Sequence, residues 1–242
     1  MTALIAQTRT EVLMTLRRGE SALLALGIPV VLLAFFSIVD VLPQPRDVSN
    51  AVDFLFPGIL ALAVTSSAMV SLAIATGFER QYLVLKRLGV TPLGRPRLLA
   101  AKTLSILLVE VVQFAVLFVE ARLLGWDVGS ARVLPAVAAV LLATVGFAGL
   151  GMLLAGTLPA LTTLAAANGL YILLLLLSGM LIPIERLPGW VQAVARALPS
   201  GALSDLLHAS LRAGDLPGQA WIVLALWAVA APAVAAVTFR WE

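Results

Sequence analysis

Residues 133–155 read VLPAVAAVLLATVGFAGLGMLLA, a run that contains no charged side chain. A helix needs about 20 mainly apolar residues to cross the hydrocarbon core of a bilayer. A helix also satisfies its own backbone hydrogen bonds, which lipid cannot do. This stretch therefore predicts a membrane-spanning helix.

The composition of the whole chain leads to the same prediction. Of its 242 residues, 61% are hydrophobic and 12% are charged. A soluble domain is typically about 45–50% apolar and roughly 25% charged. Too few polar residues remain to cover a globule of this size in water, which excludes an ordinary soluble fold.

Five further apolar runs are long enough to span a bilayer. The chain is thus predicted to be an all-α, polytopic integral membrane protein with one transmembrane domain over residues 1–242. The six predicted spans cover residues 21–41, 54–77, 104–124, 133–155, 162–182 and 221–239.

The basic residues predict the orientation of these spans. With both termini in the cytoplasm, ten of the sixteen lysines and arginines lie on the inner side. Six of those ten belong to the connector between the second and third spans. Because cytoplasmic loops carry an excess of Lys and Arg, we expect both ends of the chain to be cytoplasmic.

Residues 3–18 precede the first span and have an amphipathic pattern. Leu4, Ile5 and Val12 share one side of a helical wheel, whereas Gln7 and Glu11 lie on the other. This pattern predicts a helix in the membrane interface. It leaves open whether the helix only rests on the lipid or docks specifically.

The connector after the second span reads GFERQYLVLKRLGVTPLGRPRLLAAK over residues 77–102. Residues 78–88 are predicted to form a short helix, which ends at Gly89 shortly before Pro92. One face of this helix is aromatic and aliphatic, and the rest is basic. Docking to a partner protein and anchoring on anionic lipid both fit that pattern.

A second informative segment covers residues 183–217, on the predicted outer side. Its prolines separate two short helix-like pieces, residues 189–198 and 201–211, neither long enough to span a bilayer. We interpret them as partly re-entrant helices that cap the outer end. An ordinary extracytoplasmic loop with surface helices is the alternative.

The residues needed for common catalytic and metal sites are missing. The chain has no cysteine and one histidine, so thiolate and histidine-based metal sites are excluded. Neither Lys86 nor Lys102 follows a glycine, as the lysine of an ATP-binding phosphate loop must. We therefore expect no enzymatic activity and no bound cofactor in this chain, and an energy source elsewhere.

Glu110 and Gln113 lie one turn apart within the third predicted span. Ionisable groups at membrane depth are energetically costly and often functional. Glu110 could be a proton or substrate site, or it could hydrogen-bond to a neighbouring helix. The sequence leaves both roles open.

Two other spans contain small or hydroxyl-bearing residues. The second span contains Thr65, Ser66 and Ser67, whose hydroxyls could line a polar path or bond back to their own helix. The fourth contains Gly146, Gly149 and Gly151, which allow close helix packing within the chain or between chains.

The connector FERQYLVLKRLGVTPLGRPRLLAAK and the outer segment SGMLIPIERLPGWVQAVARALPSGALSDLL, together with the topology, resemble one family. The chain is similar over essentially its whole length to permease subunits of type-2 ABC (ATP-binding cassette) exporters. The resemblance implies an interfacial N-terminal helix, six spans and a cytoplasmic coupling helix between spans two and three. It also implies short re-entrant helices before span six.

The resemblance also implies partners and sites. Segment 78–97 would dock on a separate nucleotide-binding subunit that holds ATP and Mg, and a second permease would complete a homodimer or heterodimer. The implied ATPase contacts are Phe78, Glu79, Arg80, Tyr82, Lys86 and Arg87. The candidates for the translocation path are Thr65, Ser66, Ser67, Asn168 and Tyr171.

These expectations together describe an exporter in the bacterial plasma membrane. Its substrate would be an amphiphile such as a drug, an antibiotic or a lipid. The chain would lie in the lipid bilayer, and we expect no nucleic-acid partner. A polysaccharide exporter of the same family is one alternative. A proton-coupled secondary transporter that uses Glu110 is another, from a different class.

Overall fold

The structure is a computed structural model that describes residues 7–8, 10–12, 19–39, 50–89, 95–129, 131–212 and 214–239. All regular secondary structure in these ranges is helical, which confirms the predicted all-α class. Most of residues 3–18, and residues 90–94 of the connector, lie outside the described ranges.

Ten α-helices, one π-helix and one 3₁₀-helix follow one another from residue 19 onward in the part of the chain that is described. The α-helices are α1 (Gly19–Ile38), α2 (Ala51–Val64), α3 (Leu72–Gln81), α4 (Val84–Gly89), α5 (Arg95–Leu123), α6 (Val133–Thr157), α7 (Ala160–Leu177), α8 (Gly189–Ala197), α9 (Pro199–Leu211) and α10 (Gly218–Thr238). The π-helix is Thr65–Ser71, and the 3₁₀-helix is Ile184–Arg186.

Within the described residues, five helical stretches are long and apolar enough to cross a membrane: Ala51–Gln81, Arg97–Leu123, Val133–Thr157, Ala160–Leu177 and Gly218–Thr238. They correspond to predicted spans two to six, and the chain is a multi-pass membrane protein. The predicted span 21–41 falls on α1, where the described apolar stretch is Leu26–Ile38. A sixth span therefore stays a prediction.

The structure corrects the boundary of the predicted coupling helix. The helix of the second span runs without a break from Ala51 to Gln81, and Tyr82 and Leu83 form a turn before α4 begins. Leu83 has φ 58°, in the left-handed region that non-glycine residues rarely adopt. The predicted helix 78–88 is therefore wrong in its first half, because buried contacts hold residues 76–79 in the longer helix.

Helix α6 lies at the centre of the molecule and contacts α3, α5, α9 and α10. Its glycines allow this close approach. A Cβ atom at Gly151 would lie 2.7 Å from the backbone oxygen of Met69, and one at Gly146 would lie 3.3 Å from the backbone of Trp227. Packing within the chain thus explains these two glycines. The sequence alone left open whether they pack within the chain or between chains.

The outer surface is rich in large apolar side chains. Leu134, Leu161 and Ile222 are each more than half exposed on three different spanning helices. Such surfaces are unfavourable in water but suit hydrocarbon, where lipid tails are as apolar as leucine. The exposed faces are therefore those expected to contact the bilayer.

Helices α8 and α9 occupy the segment after α7, close to the predicted pieces 189–198 and 201–211. His208 of α9 lies with its Nε2 atom 3.1 Å from the backbone oxygen of Phe54, at the start of the second span. The backbone N–H of Arg132 donates to Ser210 O at 2.7 Å. These bonds hold α9 against the ends of two spans; a re-entrant path for it stays a prediction.

Substituting Gly151→Ala should lower the free energy of unfolding by about 1–3 kcal/mol, as overpacking does in well-packed cores. The added methyl group would meet a backbone carbonyl, which cannot rotate away as a side chain can. Thermal unfolding of the purified chain in detergent measures the effect. Gly169→Ala is the control, because no atom lies within 4 Å of a Cβ there; equal midpoints for the two variants would contradict the prediction.

Candidate functional site

A buried ion triad lies where three segments of the chain meet. Lys102 Nζ donates to Glu79 Oε2 at 2.7 Å and lies 3.0 Å from Glu11 Oε1. Lys102 is 1% exposed, and each glutamate is 8% exposed. A buried ammonium is stable only with such partners, because removing a charge from water is expensive.

The three members come from different elements. Glu11 belongs to the N-terminal helical residues, Glu79 to the last turn of α3, and Lys102 to the second turn of α5. Gln7 Nε2 also donates to Glu11 Oε1, at 2.8 Å. The described part of the N-terminal segment therefore docks on the chain itself, which the amphipathic pattern alone left open.

Arg80 makes a second connection beside the triad. Its Nη2 atom donates to the backbone oxygen of Leu158 at 2.5 Å, just past the end of α6. A cation at a helix C-terminus satisfies a free carbonyl and interacts favourably with the helix dipole. The end of the second span is thus joined to α5 through Glu79 and to the α6–α7 connector through Arg80.

Beyond these bonds the chain presents an exposed tip, which we define as residues 82–86; within it only Leu85 is buried. Tyr82 is 68% exposed, Leu83 is 51% exposed, and Lys86 is also exposed. Phe78 is half-buried and stacks its ring on that of Tyr82, with centroids 6.3 Å apart. Apolar side chains on the surface next to a lysine are typical of a docking site.

The predicted ATPase contacts therefore fall into two groups. Glu79 and Arg80 form bonds within the chain; Glu79 is buried, and Arg80 is half-buried. Tyr82 and Lys86 lie on the surface, whereas the side chain of Arg87 lies outside the described part.

Sequence reasoning missed Leu83. In a single helix over residues 78–88, Leu85 would lie on the apolar face. In the structure, the turn at residues 82–83 exposes Leu83, and Leu85 is buried. The signal was weak, because leucine seldom adopts a left-handed turn conformation.

The second candidate site surrounds Glu110, which is 1% exposed. Thr144 Oγ1 of α6 donates to Glu110 Oε2 at 2.7 Å, and Ser67 Oγ of the π-helix lies 3.1 Å from Oε1. The carboxyl group therefore connects the second, third and fourth predicted spans. Gln113 is buried one turn further along α5.

Ser67 lets this site accept either protonation state of Glu110. The Ser67 hydroxyl lies 2.8 Å from the backbone oxygen of Ala63 as well as 3.1 Å from Glu110. It has one proton, so it can donate to only one of these oxygens at a time. An ionised Glu110 would take that bond, whereas a protonated Glu110 would itself donate to Ser67 Oγ.

The candidate path residues differ in burial. Thr65 and Ser67 are buried, and their hydroxyls bond back to Ala61 O and Ala63 O of their own helix. Ser66 is half-buried. Asn168 is exposed on α7 and donates to Leu164 O at 2.8 Å, and Tyr171 is half-buried one turn further on.

A polar cavity of about 530 Å³ lies beside α9 and the start of α10. Its charged or titratable lining side chains are Arg196, Asp205, His208, Arg212 and Asp215. His208 directs Nδ1 toward Ser204 O at 2.8 Å and Nε2 toward Phe54 O at 3.1 Å. Sequence reasoning assigned no role to these residues. Among the described residues, no group of three or more His, Asp or Glu could hold a metal ion.

Comparison with protein families finds a match over most of the chain. The family model described as ABC-2 type transporter matches residues 2–210 of the chain. The match includes the ion triad, the exposed tip and Glu110. A search of curated proteins finds no match.

Replacing Lys102 by methionine should destabilise the protein by about 3 kcal/mol or more, because two buried carboxylates lose their cation. Thermal unfolding in detergent would show this loss. Lys86→Met is the matched control, since Lys86 is the other lysine of the chain and is exposed. Adding Glu79→Gln and Glu11→Gln to Lys102→Met should recover part of the stability. A Lys102→Met protein as stable as the control would show that the triad does not form.

Proposed function

The chain belongs to the ABC-2 type transporter family, and on that premise we propose that it is the permease subunit of an ATP-driven exporter. The observation that supports this role best is the exposed tip, residues 82–86, which directly follows Glu79 and Arg80, whose polar bonds reach α5 and the α6–α7 connector. A tip of this kind suits a surface that receives force from a separate ATPase.

In this proposal the tip docks in a groove of the nucleotide-binding subunit. Tyr82 and Leu83 would supply apolar anchors, and Lys86 would supply charge. Aromatic anchors in desolvated pockets contribute a large share of interface energy. Glu79 and Arg80, for which the family resemblance implied direct contact, would transmit the movement instead.

The transmission route follows from the bonds of those two residues. A displacement of the tip moves the end of α3, which is held to α5 by the bond from Lys102 to Glu79. The same end is held to the α6–α7 connector by Arg80. Because buried charged bonds are costly to break, the connected helices would move together.

The remaining parts of the proposed complex lie outside this chain. The sequence has no phosphate loop, so ATP and Mg would bind to the ATPase subunits. A second permease, identical or related, would complete the translocation path, with Asn168 and Tyr171 of α7 as candidate wall residues. Both termini would be cytoplasmic in the plasma membrane.

The proposed substrate is an amphiphile such as a drug, an antibiotic or a lipid. Few ionisable side chains lie within the spans, and the surfaces of the spans are apolar. Both features suit a hydrophobic substrate. A polysaccharide exporter would be expected to offer an aromatic-lined path. The chain has only two tyrosines, one of them in the tip, and this favours the amphiphile.

One observation favours a second candidate function, a proton-coupled secondary transporter. Glu110 is buried, and Ser67 can bond to it in either protonation state. Its two hydrogen bonds to neighbouring helices also explain it fully as a structural residue. We therefore place the exporter first.

Truncating the tip should weaken binding of the ATPase. Tyr82→Ala together with Leu83→Ala should reduce the affinity for the co-expressed nucleotide-binding subunit by about 30-fold, the equivalent of roughly 2 kcal/mol for an interface anchor. Co-purification and titration of the subunit would measure the loss. Trp190→Ala is the control, because Trp190 is 73% exposed on the outer segment. Unchanged ATPase binding and transport in the tip variant would overturn the docking proposal.

Replacing Glu110 by glutamine separates the two functions. Glutamine can accept from Ser67 and donate to Thr144, so we expect stability within about 1 kcal/mol of the wild type. An exporter driven by ATP should then retain transport in reconstituted vesicles. Transport lost while ATPase stimulation persists would instead support the proton-coupled function.

A further inference from the structure

An apolar groove of about 600 Å³ lies among α5, α6 and α10. Ala100, Leu104 and Leu107 of α5 line one wall, and Ala233 and Ala236 of α10 line the other. Every lining side chain except that of Thr103 is apolar. None of the candidate path residues lines the groove.

The groove lies toward one end of the spanning helices. Its lining comes from the early part of α5, from residues 145 and 149 of α6, and from the last turns of α10. Successive spans alternate in direction, so these parts lie toward the same side, the side of the ion triad and the tip. On the predicted orientation this is the cytoplasmic leaflet.

The floor of the groove is closed by direct contact between two helices. A Cβ atom at Gly149 would lie 2.7 Å from the backbone carbonyl carbon of Ala231, so the backbones of α6 and α10 touch there. The walls stand apart above this contact, and Leu104 remains 43% exposed. The groove is therefore open toward the bilayer.

An acyl chain is the occupant that this surface suits. Water would bind weakly in this groove, because a bound water molecule needs two to four polar partners. An unfilled apolar groove forgoes the dispersion contacts that a hydrocarbon chain would make. The surrounding bilayer supplies such chains at high concentration.

Arg97 indicates which lipid is preferred. It is exposed on α5, one turn before Ala100. The distance from residue 97 to residue 107 along the helix is about 15 Å, which is about one leaflet of a 30 Å hydrocarbon core. A guanidinium at that depth matches a lipid phosphate, with which arginine forms bidentate bonds.

We propose that this groove binds an anionic glycerophospholipid, with one acyl chain between α5 and α10 and the phosphate at Arg97. The site is separate from the candidate translocation path, and the bound lipid is a resident ligand. Because the groove includes Thr103, next to Lys102 of the triad, a bound lipid would brace the start of α5.

Native mass spectrometry of the purified chain tests the proposal with two probes, phosphatidylglycerol and phosphatidylcholine with the same acyl chains. We expect one phosphatidylglycerol to be retained at least about tenfold more tightly, as one charge-assisted bond allows. Arg97→Gln should abolish this preference while the acyl chain still binds. Ala100→Trp or Ala233→Trp should fill the groove and remove both lipids.

Two controls make the test specific. Ala115→Trp introduces the same side chain at another exposed site on α5, four turns away, and should leave retention unchanged. Arg186→Gln removes an exposed arginine far along the chain and should also have no effect. If a tryptophan variant fails to fold, the comparison of Arg97→Gln with the wild type decides the outcome.

Three results would overturn the proposal: equal retention of the two lipids by the wild type, a preference that survives Arg97→Gln, or identical retention by Ala100→Trp and Ala115→Trp. Displacement of the lipid by a transported amphiphile, in proportion to transport, would make the groove a substrate site and would also overturn it. None of these measurements depends on an ATPase partner.

Discussion

A single buried ammonium organises one end of this protein. Lys102 holds the carboxylates of Glu79 and Glu11, so the second span, the third span and the N-terminal segment meet at one point. A buried ammonium requires both carboxylates, because removing either one leaves part of its desolvation cost uncompensated. The positions of the exposed tip and of the described N-terminal residues around Glu11 therefore depend on this triad.

The same constraint, that buried polar groups must be paired, explains the centre of the molecule. Glu110 is satisfied by hydroxyl groups of two neighbouring helices, and one of them belongs to a π-helical turn. Such wide turns recur at functional positions in helices. Since the spans contain few other ionisable side chains, packing of small residues such as Gly151 supplies most of the remaining specificity.

The two ends of the second span differ in a way that matters for function. At one end, polar bonds fix Glu79 and Arg80 while Tyr82 and Leu83 remain exposed. At the other, His208 holds α9 against Phe54. A span anchored at both ends suits the transmission of movement across the membrane, which is the role that we propose for it within the ABC-2 type transporter family.

The sequence by itself determined the membrane class, five of the predicted spans and the absence of an ATP-binding loop. These are local properties, because hydropathy adds up along a segment and a motif depends on its own residues. Only the tertiary structure decided that Glu79 faces Lys102, that Gly151 meets Met69 and that Leu83 is exposed. Each of those outcomes depends on which distant helices become neighbours, and a pattern read along the chain does not contain that information.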